Sequence, residues 1–189
     1  QLWEAMLTWN GTTLTLTSPI QLTFDASDHR EPSYAYHWGR ADSTLDNTRI
    51  AYVSNAWDPL NNPSQKYQIF QADLSSTGLR KITNKIQFTK DDYDHRSPKF
   101  DDPGVGSGGV PTPSTKLVYV ANAYDAVKNP ERFYQIFTIP LAGGTPTQQT
   151  FDRADHRSPS FAPSIGFYND PASGGDGRYY TPGDITTYA

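Results

Sequence analysis

The apolar positions of this chain come in short runs, and the runs repeat. Arg49–Asp58 reads RIAYVSNAWD and Lys116–Asp125 reads KLVYVANAYD, each a short apolar stretch between polar ends. A continuous apolar run of that length, bounded by turn residues, fits a buried β-strand. Both segments pass an Asn-Pro pair, Asn62-Pro63 and Asn129-Pro130, and re-enter order at an identical tetrapeptide, YQIF, at Tyr67–Phe70 and Tyr134–Phe137. Small-residue turns follow, SSTG at Ser75–Gly78 and AGGT at Ala142–Thr145, as two antiparallel strands require. No window carries sustained apolar spacing at three and four residues, so long helices are not expected.

The runs are tied together by a longer motif, QxTxDxxDHRxPx followed by an aromatic. Its copies span Gln21–Tyr34 (QLTFDASDHREPSY), Gln87–Phe100 (QFTKDDYDHRSPKF) and Gln148–Phe161 (QQTFDRADHRSPSF). The steps from Asp28 to Asp94 and from Asp94 to Asp155 are 66 and 61 residues. That period is too long for a helical hairpin and suits four short strands with generous loops. The expected order in each unit is motif and strand A, long loop, strand B, Asn-Pro loop, strand C, hairpin, strand D.

Taken together, DHRSPSFAP, RIAYVSN or KLVYVAN, YQIF and LAGGTPTQQT resemble the TolB-like β-propeller repeat, a WD-like blade, over nearly all of Gln1–Phe161. The resemblance implies an all-β fold, a β-propeller of four-stranded antiparallel blades. Members of that family serve as periplasmic interaction platforms, as non-catalytic propellers attached to serine peptidases, and within polysaccharide-active or redox assemblies. This chain departs from the family pattern after strand A, where Asp101-Asp102-Pro103 and Ala162-Pro163-Ser164 replace the usual SPDG turn.

The repeat divides the chain into strands C and D of a partial blade at 1–27, complete blades at 28–93 and 94–154, and a further partial blade at 155–189. Gap-free comparison with the second repeat sets Gln1–Glu4 against YQIF, Trp9–Thr12 against SSTG and Gln21 against Gln87. In the last unit, Arg178–Thr181 is the candidate strand B, cut short by Pro182. The total is about three blades, whereas propellers close with typically four to eight. Completion is expected from another copy of the chain, making a six-bladed ring or a head-to-tail fibre, or from the remainder of a longer polypeptide.

Composition narrows the partners. A net charge of −4 with interspersed signs gives no electrostatic footprint for nucleic acid or an anionic membrane. No apolar run approaches the roughly 20 residues of a membrane-spanning helix. The absence of cysteine excludes disulfides and thiol chemistry. Enrichment in Thr, Asn, Tyr and Gly, with a start at Gln, leads us to expect an exported protein, extracellular or in the periplasm or cell envelope. Asn10-Gly11-Thr12 is a glycosylation sequon in the first hairpin.

Three of the four histidines sit in the motif, within Asp28-His29-Arg30, Asp94-His95-Arg96 and Asp155-His156-Arg157. The structural reading is that Asp, His and Arg tie adjacent units together while Pro32, Pro98 and Pro159 fix the approach to strand A. The chemical alternative is a divalent transition metal held by His29, His95 and His156, or calcium in the acidic corner of Asp91, Asp92, Asp94, Asp101 and Asp102. Repetition in every unit favours architecture, so no resident cofactor is expected.

Residues that differ between repeats are the better binding candidates. His37, Trp38, Arg40 and Asp42 lie in the first long loop. Trp57, Asp58, Tyr124, Asp125, Lys128, Glu131 and Arg132 lie in or beside the Asn-Pro loops, and Phe167, Tyr168, Asn169, Asp170 and Arg178 in the last. Aromatic and charged groups on loops suit a protein or glycan ligand; the plainer alternative for Trp57 and Tyr124 is that they cap a sheet edge. No nucleophile elbow, metalloprotease helix motif, P-loop or dinucleotide fingerprint occurs. The expectation is therefore a non-catalytic scaffold for protein or carbohydrate binding, or a structural subunit of an extracellular or envelope assembly. The alternative is a metal-dependent lyase or hydrolase using the motif histidines.

Overall fold

The computed structural model describes residues 1–5, 7–16, 18–35, 49–75, 81–101, 114–161 and 185–188. Strands β1 (Trp3–Glu4) and β2 (Leu7–Trp9) fold back on β3 (Leu14–Leu16) and β4 (Ile20–Gln21), with β2 paired to β3 and β1 to β4. Strands β5 (His29–Tyr34), β6 (Arg49–Ser54), β7 (Gln68–Leu74) and β8 (Ile82–Gln87) form a four-stranded antiparallel sheet in chain order. A second such sheet holds β9 (His95–Phe100), β10 (Lys116–Ala121), β11 (Gln135–Pro140) and β12 (Thr147–Gln148). Finally, β13 (Arg157–Phe161) pairs with β14 (Ile185–Tyr188). The described chain is thus all-β and antiparallel, in sheets of two to four strands.

The second strand of each four-stranded sheet is apolar on both sides because both sides are covered. From β6, Ala51 and Val53 face a cluster with Ile69, Phe100, Leu117, Tyr119 and Ile139, which joins the two four-stranded sheets. Ile50 and Tyr52 face the other way, with Phe70 and Leu74, onto Leu2 and Leu22 of the first hairpin. In the next sheet Val118, Val120 and Ile136 pack on Phe161 of β13. Each sheet therefore covers its neighbour, and hydrophobic burial is shared among successive interfaces. The outer strand β8 (ITNKIQ) is exposed over its four central residues, matching its polar sequence.

Two local expectations are corrected. Trp3 pairs with Gln21 as Phe70 pairs with Gln87 and Phe137 with Gln148, so Trp3 is the counterpart of the YQIF phenylalanine and Gln1 that of its glutamine. The gap-free alignment was one residue out, because the first hairpin has an extra residue between these positions, and a one-residue slip exchanges the two faces of a strand. The strand that pairs with β13 is Ile185–Tyr188; Arg178–Thr181 lies outside the described residues. A strand resembling RIAYVS only in its first aliphatic gave no sequence signal beside the more strand-like RYYT.

Candidate functional site

The motif residues form a set of bonds that recurs from sheet to sheet. The Gln and Thr act within a sheet. Gln21, Gln87 and Gln148 donate through Nε2 to the carbonyls of Thr23, Thr89 and Thr150. The hydroxyls of those threonines accept from the amides of Leu2, Ile69 and Ile136, at 2.8, 2.8 and 2.9 Å. They prolong the last strand pairing past the point where β-structure ends.

Each motif histidine is then fixed by the first aspartate of its own turn. The Nε2–Oδ1 distances are 2.7 Å for His29–Asp25, 2.7 Å for His95–Asp91 and 2.8 Å for His156–Asp152. His29 and His95 are buried, and their rings stand 5.5 and 5.4 Å from those of Tyr52 and Tyr119, which stack on Phe70 and Phe137. The other ring nitrogen, Nδ1, is buried at His29 and His95 without a hydrogen-bond partner among the described residues. Partial burial pushes the Asp25 carboxyl up, but hydrogen bonds from His29 and the Ser27 amide outweigh it and hold it below its usual value. Asp152 is lowered chiefly by His156.

The second aspartate bridges neighbouring units, whereas the arginine contacts a tyrosine of its own unit. Asp94 and Asp155 accept from the amides of Tyr67 and Tyr134 in the preceding sheet, at 3.0 and 2.8 Å. The amides of His95 and His156 donate to the carbonyls of the same two tyrosines. Asp28 accepts from Arg30 and from the Tyr67 hydroxyl, and both bonds lower its carboxyl pKa. Arg30 and Arg96 lie over the rings of Tyr67 and Tyr134. Two further groups complete the set without having been singled out in the sequence. Asn55 and Asn122 accept the amides of Asp28 and Asp94, and Gln68 and Gln135 each bind two backbone carbonyls of the motif turn. Gln1 makes the same pair of contacts, to Asp25 and Ser27. The repeated Asn of VSN/VAN and Gln of YQIF were visible signals; their partners were not.

The Asn-Pro loops are built alike and project apolar groups. Asp58 accepts from the amides of Leu60 and Asn61, and Asp125 from those of Val127 and Lys128, which lowers both carboxyls. The side chains of Asn62 and Asn129, both buried residues, each make three hydrogen bonds that close the loop. The result is a rigid turn that leaves Trp57, Leu60, Tyr124 and Val127 exposed, the two aliphatics almost fully at 88% and 89%. Arg132 lies over the rings of both Tyr124 and Tyr93, and Lys128 over Phe151. Asn10 sits at the exposed tip of the first hairpin, where Gly11 has φ of 95° and Asn10 Oδ1 accepts from Thr12 and Thr13.

His37, Trp38, Tyr168 and Arg178 lie outside the described residues. Of the acidic corner, Asp91 is spent on His95 and Asp94 on Tyr67, while Asp101 caps Thr115 and Lys116. Among the described residues no group of three or more His, Asp or Glu side chains is placed to hold a metal ion. Comparison with protein-family models, curated proteins and solved structures yields no match.

Proposed function

We propose that the chain is part of a TolB-like propeller that acts as a non-catalytic scaffold for a protein or glycan ligand in an extracellular or envelope setting. One observation carries this reading. The Asp and His side chains of the motif are engaged in bonds within and between the units, while the capped Asn-Pro loops present Trp57, Leu60, Tyr124 and Val127 to solvent. Rings and apolar side chains on a rigid frame suit stacking on sugars or packing into a protein interface. A metal-dependent lyase or hydrolase would instead need the imidazoles to converge on one ion through the ring nitrogen left free by the aspartate, an atom that is buried at His29 and His95. Glycan-array binding is the test. Saturable binding that is lost in Trp57→Ala or Tyr124→Ala with an unchanged melting temperature supports the scaffold. Stoichiometric Mn, Fe or Zn with metal-dependent polysaccharide cleavage would overturn it.

The same reading says how the propeller is completed. Among the described residues β14 pairs only with β13, and β1 and β2 only with β4 and β3. Arg157↔Tyr188 matches Arg30↔Val53 and Arg96↔Val120, which puts Thr187 in the place of Tyr52 and Tyr119. In the complete sheets those tyrosines pair with Phe70 and Phe137, the counterparts of Trp3. A shared blade then pairs Thr187 with Trp3 and Thr186 with Glu4, covering a tryptophan that is 58% exposed. The completing strand comes from a second copy or from the rest of a longer polypeptide.

A further inference from the structure

In all three motif copies the residue between Arg and Pro takes left-handed backbone: Glu31 and Ser97 with φ of 52°, and Ser158 with φ of 46°. The pairing register skips each of them, so each is the bulged residue of its strand. A bulge leaves an amide N–H without a ladder partner. At Ser97 a carboxylate takes that amide. Glu31, the same motif position one sheet earlier, accepts from the Ser97 N–H through Oε2, which also lies 3.4 Å from the Ser97 hydroxyl.

One step further along, the residue in the place of Glu31 is Ser97, whose side chain is too short to repeat the contact. The pairing of β13 with β14 skips Ser158 as the other pairings skip Glu31 and Ser97. A cavity of about 330 Å³ opens there, lined by Arg96, Ser97, Tyr134, His156, Arg157 and Ser158. Its volume falls in the range of small-ligand sites. Arg157 makes no ion pair among the described residues, whereas its counterpart Arg30 is paired with Asp28. The two acidic groups on the rim are already engaged, Glu31 at the Ser97 amide and Asp155 at the Tyr134 amide.

We propose that this cavity is a carboxylate-binding site, in which the Ser158 amide and the Arg157 guanidinium receive the acidic group of a ligand as the Ser97 amide receives Glu31. An N–H and a guanidinium lining one cavity favour a planar anion through charge-assisted hydrogen bonds. The chain's own occupant of the equivalent place is a carboxylate on a short flexible stem. The source is a free organic acid or an acidic side chain of a polypeptide, and two probes separate them. This site does not depend on the loop surface proposed above.

Calorimetric titration of the whole chain with glutarate, a free acid, and with N-acetylglutamate N-methylamide, a peptide mimic, tests it. One saturable site is expected, with the tighter probe naming the source and the neutral glutamine analogue about tenfold weaker or more. Arg157→Gln weakens binding by about tenfold. Ser97→Glu, which supplies an internal carboxylate at the matching position, abolishes binding. Glu31→Ser frees the Ser97 amide and creates a second site. Glu31 itself occupies this backbone conformation, so Ser97→Glu is compatible with the fold, and an unchanged melting temperature verifies that. Absence of saturable binding by either probe, equal binding of the glutamine analogue, or unchanged affinity in Ser97→Glu would overturn the proposal.

Discussion

Truncation of one motif histidine separates an architectural role from a chemical one. His95 is 2% exposed, its ring packs 5.4 Å from Tyr119, and Tyr119 stacks on Phe137. His95→Ala removes a ring from this stack and leaves a cavity, a change that costs about 3–5 kcal/mol for aromatic side chains in a core. Its partner Asp91 keeps a side chain 43% exposed, so it returns to water and adds little to the cost. His156 makes the same bond in a thinner setting, with side-chain exposures of 15% for His156 and 59% for Asp152. His156→Ala is therefore expected to cost about 1–2 kcal/mol, near the average for a point mutation. Urea unfolding followed by tyrosine fluorescence, with and without EDTA, measures both. Equal losses below about 1 kcal/mol, or a wild-type midpoint that falls on chelation, would refute the reasoning.

Burial raises the phenol pKa of Tyr52 and Tyr119, with nearby Asp25 and Asp91 adding to it. The folded state keeps protons that the unfolded chain gives up, so stability present below about pH 10 is lost above it. The Tyr52→Phe and Tyr119→Phe double variant should lose that alkaline fall in melting temperature, and a fall that persists would show another cause. Because the Tyr52 hydroxyl is buried without a hydrogen-bond partner among the described residues, Tyr52→Phe alone should be neutral or stabilising by up to about 1 kcal/mol at pH 7. Asn129→Ala leaves the Phe133 amide and the Ala123 and Phe133 carbonyls without their side-chain partner, and should cost about 2–3 kcal/mol in urea unfolding. A loss under about 0.5 kcal/mol would mean that the loop closes without it.

The strands that read most clearly from the sequence are those buried on both faces, RIAYVS and KLVYVA, because continuous apolar runs leave few alternatives. The motif was legible for the same reason that it is structural, since an identical bond set needs identical residues in each unit. The first hairpin misled the alignment because an added residue leaves no mark in composition. The last strand, ITTY, shares only an aliphatic with its counterparts. Contacts between units were harder still. Nothing in the letters says that Gln68 bonds the carbonyls of Asp91 and Tyr93, or that Glu31 reaches Ser97, since each joins positions more than twenty residues apart through the stacking of sheets.

The claim that a second copy of the chain completes the ring is tested most directly by cross-linking, because the chain has no cysteine of its own. Directly opposed residues of antiparallel strands lie about 4.5–5.5 Å apart between Cα atoms, within disulfide reach. The account predicts that the 189-residue chain carrying Glu4→Cys and Thr186→Cys, oxidised, migrates at twice its 21.1 kDa mass, while Glu4→Cys with Thr187→Cys does not. A compact 21.1 kDa monomer that fails to cross-link in either register would contradict it.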